Sequence, residues 1–142
     1  DVVATVIDKQ GNPSLQIVAS KMVHYIENDS TEISNPWLTL YRKSPKPWQL
    51  TAEHAKTFQG VNQIYLWENV VINHPGDEQN QKTTLLTPTL KVFPERQVAM
   101  TDDPVIITQP NTTIHAIGMS ADLVSGAVKL LSQAQGEFSV KE

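Results

Sequence analysis

The chain has no cysteine, which excludes a disulfide framework, a thiol nucleophile and thiolate metal ligands. Only six glycines occur in 142 residues and they never cluster, so no Gly-rich phosphate loop is present. Positive charge is also scarce: eleven Lys and Arg stand against fifteen Asp and Glu, a net charge of -4, and the basic residues are scattered. That distribution lacks the electrostatic footprint of a nucleic-acid binder, and no nucleic acid is expected as a partner. No apolar run approaches the roughly 18 residues that cross a bilayer, and no basic, apolar and small-residue leader opens the chain. The length suits one domain, 1–142, large enough to bury its own core.

What is present is a repeat. Four related units begin at Ser14, Pro47, Lys82 and Thr113, and their anchor positions Ala19, Ala52, Thr87 and Gly118 lie 33, 35 and 31 residues apart. Two residues before each anchor stands an apolar side chain (Ile17, Leu50, Leu85, Ala116), and six after it a large or β-branched one (Tyr25, Phe58, Phe93, Val124). About sixteen residues after the first three anchors a polar turn residue precedes a new apolar run, at Asn35, Asn69 and Asp103; Gln135 to Phe138 keep this loosely in the fourth unit.

The repeat decides an ambiguous stretch. LTAEHAKTF, residues 50 to 58, is tolerated by a helix, with Thr51 available to start it. Its counterpart in the third unit is LLTPTLKVF, with Pro88 in the middle, and proline inside a helix costs about 3 kcal/mol. Copies of one unit share one backbone path, so both segments are strands, and the helical look of SADLVSGAVKLLSQAQ is overruled in the same way. Alternation supports this: Leu15, Ile17 and Ala19 share one face, as do Trp48, Leu50 and Ala52. Turn clusters at 10–13, 28–30, 59–62, 74–77, 94–95 and 109–111 separate the strands, and VVATVID adds a strand hairpinned to SLQIVA. The expected fold class is all-β: two facing antiparallel sheets in an open jellyroll of four tandem units, with little helix. Such a roll has unpaired edge strands that can recruit another chain.

The residue types ask for no catalysis. The four histidines lie 30, 20 and 41 residues apart, without an i, i+2 or i, i+4 pair, so no metal site or cofactor is expected and they read as strand or turn histidines. Gly118-Met119-Ser120-Ala121-Asp122 lacks the second glycine of a nucleophile elbow. Asp102-Asp103 occupies the turn slot of Asn35 and Asn69, which a turn role explains better than a carboxylate pair. Arg42, Lys43 and Lys46 form either a solvated, proline-stiffened loop or a rim for anionic head groups, the former favoured on so few charges.

Taken in order, SLQIVASKMVHYIENDSTEISNPWLTLY, PWQLTAEHAKTFQGVNQIYLWENVVI, LLTPTLKVF and VAMTDDPVIIT resemble the periplasmic domain of the LptC family, a component of the Gram-negative lipopolysaccharide export machinery. The resemblance spans Val2 to Phe138 and rests on packing signatures: Tyr25, Asn35-Pro36, Trp48 with Leu50 and Ala52, and the Tyr65–Val70 strand. It implies a jellyroll whose apolar interior binds lipopolysaccharide acyl chains. It also implies edge pairing with the inner-membrane permease LptF/LptG, served by the LptB ATPase, at the N-terminal edge and with an LptA-like bridge at the C-terminal edge. An N-terminal transmembrane tether to the inner membrane is implied too; the chain begins at Asp1 without it.

On repeat position and resemblance together, the residues expected to face lipid are Val2, Ile17, Ile33, Leu50, Phe58, Trp67, Leu85 and, by the C-terminal edge, Ser125. Gly11 and Gly118 match glycines at turns or close approaches. The alternatives are a related LptA-like bridge, a structural edge-pairing domain whose interior binds no lipid, and an enzyme; edge pairing also allows a homodimer.

Overall fold

The alternating segments form strands throughout the computed structural model, which describes residues 2–7, 9–41, 48–58, 62–76, 82–122 and 127–131. In chain order they are β1 (Val2–Ile7), β2 (Pro13–Ala19), β3 (Lys21–Tyr25), β4 (Ser30–Ser34), β5 (Trp37–Leu40), β6 (Trp48–Thr51), β7 (His54–Phe58), β8 (Gln63–His74), β9 (Thr83–Phe93), β10 (Val98–Gln109), β11 (Thr112–Asp122) and β12 (Val128–Leu130). Among the described residues the single helical element is a 3-10 turn, Ile26–Asn28. The segment from 50 to 58 is strand on both sides of a break at Ala52–Glu53, as the repeat predicts.

All strand pairs are antiparallel. One path runs β1-β2-β5-β6-β8-β9-β10-β11-β12, and a branch runs β3-β4-β7-β8. The branch arises because most of the chain crosses a common crease. The pairs β2/β3, β4/β5 and β6/β7 are each one strand bent at Ser20, at Asn35-Pro36 and at Ala52-Glu53, whereas β8 to β11 bend without interruption. Two sheet halves result. The first carries β1, β2, β5, β6, the C-terminal part of β8, the N-terminal part of β9, the C-terminal part of β10 and the N-terminal part of β11. The second carries β3, β4, β7, the complementary parts of β8 to β11, and β12.

At the crease of β8 to β11 the register alternates between two residues and one. Trp67 pairs Thr89 and Val70 pairs Thr87, so Glu68 and Asn69 oppose Pro88 alone. Thr101 pairs Met119 and Pro104 pairs Ile117, so Asp102 and Asp103 oppose Gly118. These are β-bulges, and a bulge is where a central strand tolerates a proline that cannot donate to the ladder. Glu68 and Asn69 take φ of 67° and 55°, and Asn35 takes 51°. The polar slots read from the repeat as turns are therefore corners: at Asn35, Asn69 and Asp103 the chain bends from one sheet half into the other without reversing. Several reversals fall on the predicted turn clusters, for instance at Pro94–Gln97 and Pro110–Asn111, while those between β5 and β6 and between β11 and β12 fall outside them.

The crease also changes which residue parity points inward. Leu50 is buried before the break and Ala55 and Thr57 after it; Leu85 and Thr87 are buried before Pro88, Leu90 and Val92 after it. The bulged strands β8 and β10 gain a second residue at the corner and keep their parity, with Leu66, Val70 and Ile72 all buried, as are Thr101 and Val105. Side chains from both halves join in one apolar cluster.

Backbone hydrogen bonds and side chains hold the corner. The Asn35 amide donates to the Glu53 carbonyl at 2.9 Å, and the Glu53 amide to the Glu68 carbonyl at 3.0 Å. Ser20 Oγ donates to the Ser34 carbonyl and to Asn35 Oδ1, each at 3.1 Å. Farther along, the Asp103 amide donates to Thr101 Oγ1 at 3.1 Å, and Thr89 Oγ1 donates to the Asp103 carboxylate.

Gly118 combines φ of +83° with a close approach, since a Cβ there would meet Leu131 Cβ at 3.1 Å; Gly11 has φ of +86° and open space around it. Gly11→Ala should cost about 1–2 kcal/mol from the left-handed conformation alone, and Gly118→Ala distinctly more because Leu131 must also move. Urea denaturation of the two variants measures the difference.

Candidate functional site

Pairing places inward side chains in rows that run across the strands. In the first half one row reads Ala4, Ile17, Leu38, Leu50, Ile72, Leu85, Ile107, Ile114, each directly opposite the next, from edge strand β1 to edge strand β11. The second half carries Met22, Ile33, Ala55, Leu66, Leu90 and, beside it, His24, Thr31, Thr57, Ile64, Val92, Ala99, Ala121, Val128. No Asp, Glu, Lys or Arg is buried among the described residues. The first-half row is therefore an apolar track, continuous from one edge to the other, while the second half has His24, Thr31 and Thr57 within its rows.

That track is closed on itself. Leu50 and Leu85 are fully buried, and Ile17 and Ile33 keep 3% and 2% exposure, so these four predicted residues pack against the opposite half. Exposure returns at the rims. Val2 lies opposite Ala19, hence on the inner face, yet is 39% exposed. Ala4 and Val6 of β1, Met22 of β3, and Val128 and Leu130 of β12 are only partly buried against the core. The sequence reading named Val2 and missed Ala4, Val6 and Met22, although alternation from Val2 points to the first two.

Phe58 and Trp67 require correction: both lie on the outer surface. Phe58 is exposed next to buried Thr57, and Trp67 is half-buried next to buried Leu66. Phe58 was carried outward by the parity change at Ala52–Glu53, and Trp67 belongs to a stretch, Ile64 to Trp67, that is apolar on both faces. Trp67 stacks between His54 and Tyr65, with ring centroids 5.4 Å away in each case. Ser125, Val124, Arg42, Lys43, Lys46 and the segment from Gln135 to Phe138 lie outside the described residues.

The outer surface holds a pattern that repeat analysis missed. One row of the first half reads Val3, Val18, Trp37, Thr51, Val71, Leu86, Ile106, His115, while the adjacent row reads Thr5, Gln16, Thr39, Gln49, Asn73, Thr84, Thr108, Thr113. Near the crease the apolar row runs into a cleft of about 940 Å³ whose walls include Tyr65, Trp67, Leu86, Pro88, Pro104 and Ile106. At the other end of the core Trp48 packs on buried His74, ring centroids 4.6 Å apart.

Comparison with known proteins agrees with this architecture. The sequence profile of the LptC family, described as lipopolysaccharide-assembly, LptC-related, matches residues 1–139. The chain belongs to the LptC family. Among solved structures it is similar to LptH, the LptA-homologous periplasmic component of the lipopolysaccharide transport device of Pseudomonas aeruginosa. The TM-score is 0.64 at 10% identity, over 82% of this chain and 80% of that one. At that identity the likeness is one of fold: both are LptA-like β-jellyrolls. A search of curated protein sequences finds no match. Membership of the LptC family supports a role in lipopolysaccharide transport.

Burial predicts opposite outcomes for two inner-face positions. Ile33→Glu puts an unpaired carboxylate into the core and should destabilise the domain by on the order of 3 kcal/mol or more. Val2→Glu, at the rim, should stay within about 1 kcal/mol of the parent. Thermal melts followed by circular dichroism compare them.

Proposed function

We propose that this domain is a lipopolysaccharide-binding conduit, in which acyl chains enter between the rims of β1 and β3 and travel along the inner rows toward β11 and β12. The observation that carries this reading is the unbroken apolar row from Ala4 to Ile114, with partial exposure gathered at the rims. Because the interior is packed, lipid must replace contacts between the two halves instead of filling a void. Each methylene taken out of water contributes about 0.8 kcal/mol, enough over one chain to offset exposing several core side chains. The exchange is nearly balanced, since apolar contacts are traded for apolar contacts, and a balanced exchange lets lipid leave as readily as it enters.

In this reading the edge formed by β1 and β3 receives lipid from the inner-membrane permease LptF/LptG, energised by LptB, and the edge formed by β11 and β12 passes it to an LptA-like bridge. Unpaired strand edges supply backbone donors and acceptors for such pairing. The domain would work in the periplasm, tethered to the inner membrane by a helix preceding Asp1. Of the predicted lipid contacts, Val2 meets lipid first, and Ile17, Ile33, Leu50 and Leu85 meet it after the halves part; Ser125 is kept as a contact on the family resemblance alone. No step calls for a catalytic group or a cofactor, in keeping with the transport role of the family.

Photo-crosslinking side chains placed at Val2, Met22 and Val3 test the proposal in membranes with active transport. Lipopolysaccharide adducts are expected at Val2 and Met22, which face inward, and not at Val3, which faces outward on the same strand. Protein adducts at the edges with no lipid adduct at Val2 or Met22 would instead identify a structural edge-pairing domain.

A further inference from the structure

Sequence spacing separates the histidines from one another, yet strand pairing brings His54, with Glu53 beside it in the chain, to a second carboxylate on the neighbouring strand. His54 lies directly opposite Trp67 in the β7–β8 pair, which sets it beside Glu68 at the bulge, and Glu53 stands at the break just before β7. His54 Nε2 is 3.5 Å from Glu68 Oε1, and one donor atom from each of Glu53, His54 and Glu68 falls within 4.8 Å of the other two. We propose that Glu53, His54 and Glu68 form a binding site for a divalent transition-metal ion of the zinc class, on the outer side of the crease.

Three observations point to a metal of this class. First, the donor set is one imidazole and two carboxylates, which suits zinc; calcium and magnesium prefer six or more oxygens and rarely take a histidine. Second, the scaffold is already assembled. The Glu53 amide donates to the Glu68 carbonyl at 3.0 Å, the His54 ring is stacked on Trp67, and Asn69 Nδ2 donates to the Glu53 carboxylate. Third, among the described residues neither carboxylate is ion-paired with a lysine or arginine; Lys56, the nearest lysine in sequence, extends over the Phe58 ring. Tetrahedral zinc with ligands near 2.1 Å holds its donors roughly 3.4 Å apart, so donors within 4.8 Å of one another need close in by at most about 1.4 Å. All three are at least partly exposed, so solvent can complete the shell.

Bound metal would clamp the start of β7 to the β8 bulge and so stiffen the corner on which both sheet halves turn. Isothermal titration of the untagged protein with zinc chloride, and separately with magnesium chloride, tests the site, alongside thermal melts with and without zinc. The expected result is one zinc ion per chain, no comparable magnesium binding, and a zinc-dependent rise in Tm. Affinity should fall about tenfold or more in Glu68→Gln and in His54→Phe, which keeps an aromatic ring on Trp67 but removes the donor nitrogen. His24→Ala, at the other histidine-carboxylate pair, should bind zinc as the parent does. Absence of zinc binding would overturn the proposal, as would undiminished binding by both substituted proteins, or magnesium binding equal to that of zinc. If His54→Phe does not fold, Glu53→Gln with Glu68→Gln decides by the same criterion.

Discussion

Everything in this domain depends on one constraint: strands must pass from one sheet half to the other at a common line without losing their hydrogen-bonded neighbours. Bulges meet it by setting two residues against one, Glu68 and Asn69 against Pro88, and Asp102 and Asp103 against Gly118. Left-handed backbone at Asn35, Glu68, Asn69 and Gly118, and the chain of amide-to-carbonyl bonds through residues 35, 53 and 68, complete the corner. The spacing of about 33 residues is the length of chain needed to cross that line, reverse and cross it back.

Two apolar inner surfaces follow from the bend. Because the rows run perpendicular to the strands, a hydrocarbon chain following the first-half row from β1 toward β11 would meet an aliphatic side chain at every strand. Uniformity of this sort favours movement over tight binding, since no single strand offers a deeper well than its neighbour. The two halves pack into one apolar cluster, and the side chains of β1, β3 and β12 are only partly buried against it; under the proposed conduit role these rims are where lipid would begin to part the halves.

Much of the fold was legible without coordinates. Pro88 sufficed to turn LTAEHAKTF from a plausible helix into strand, and the turn clusters located most reversals, though not those between β5 and β6 and between β11 and β12. Ile17, Leu50 and Leu85, picked two residues before each anchor, fall on a single inner row. Phe58 and Trp67 show the limit: an extrapolated alternation loses its phase at the crease, and size and hydrophobicity do not say which surface a side chain joins. His54 and Glu68, fourteen residues apart, became neighbours only through the β7–β8 register.

The sequence by itself determined strand and turn, and marked the polar slots without telling a corner from a reversal, because period-two alternation, proline placement and the repeat are properties of adjacent residues. Tertiary structure alone decided which parity faces inward after each corner, that the interior is packed instead of open, and which distant polar groups meet. Those outcomes depend on how many residues each bulge inserts and on how two sheets close on one another, and both are set by pairing between segments far apart in the chain.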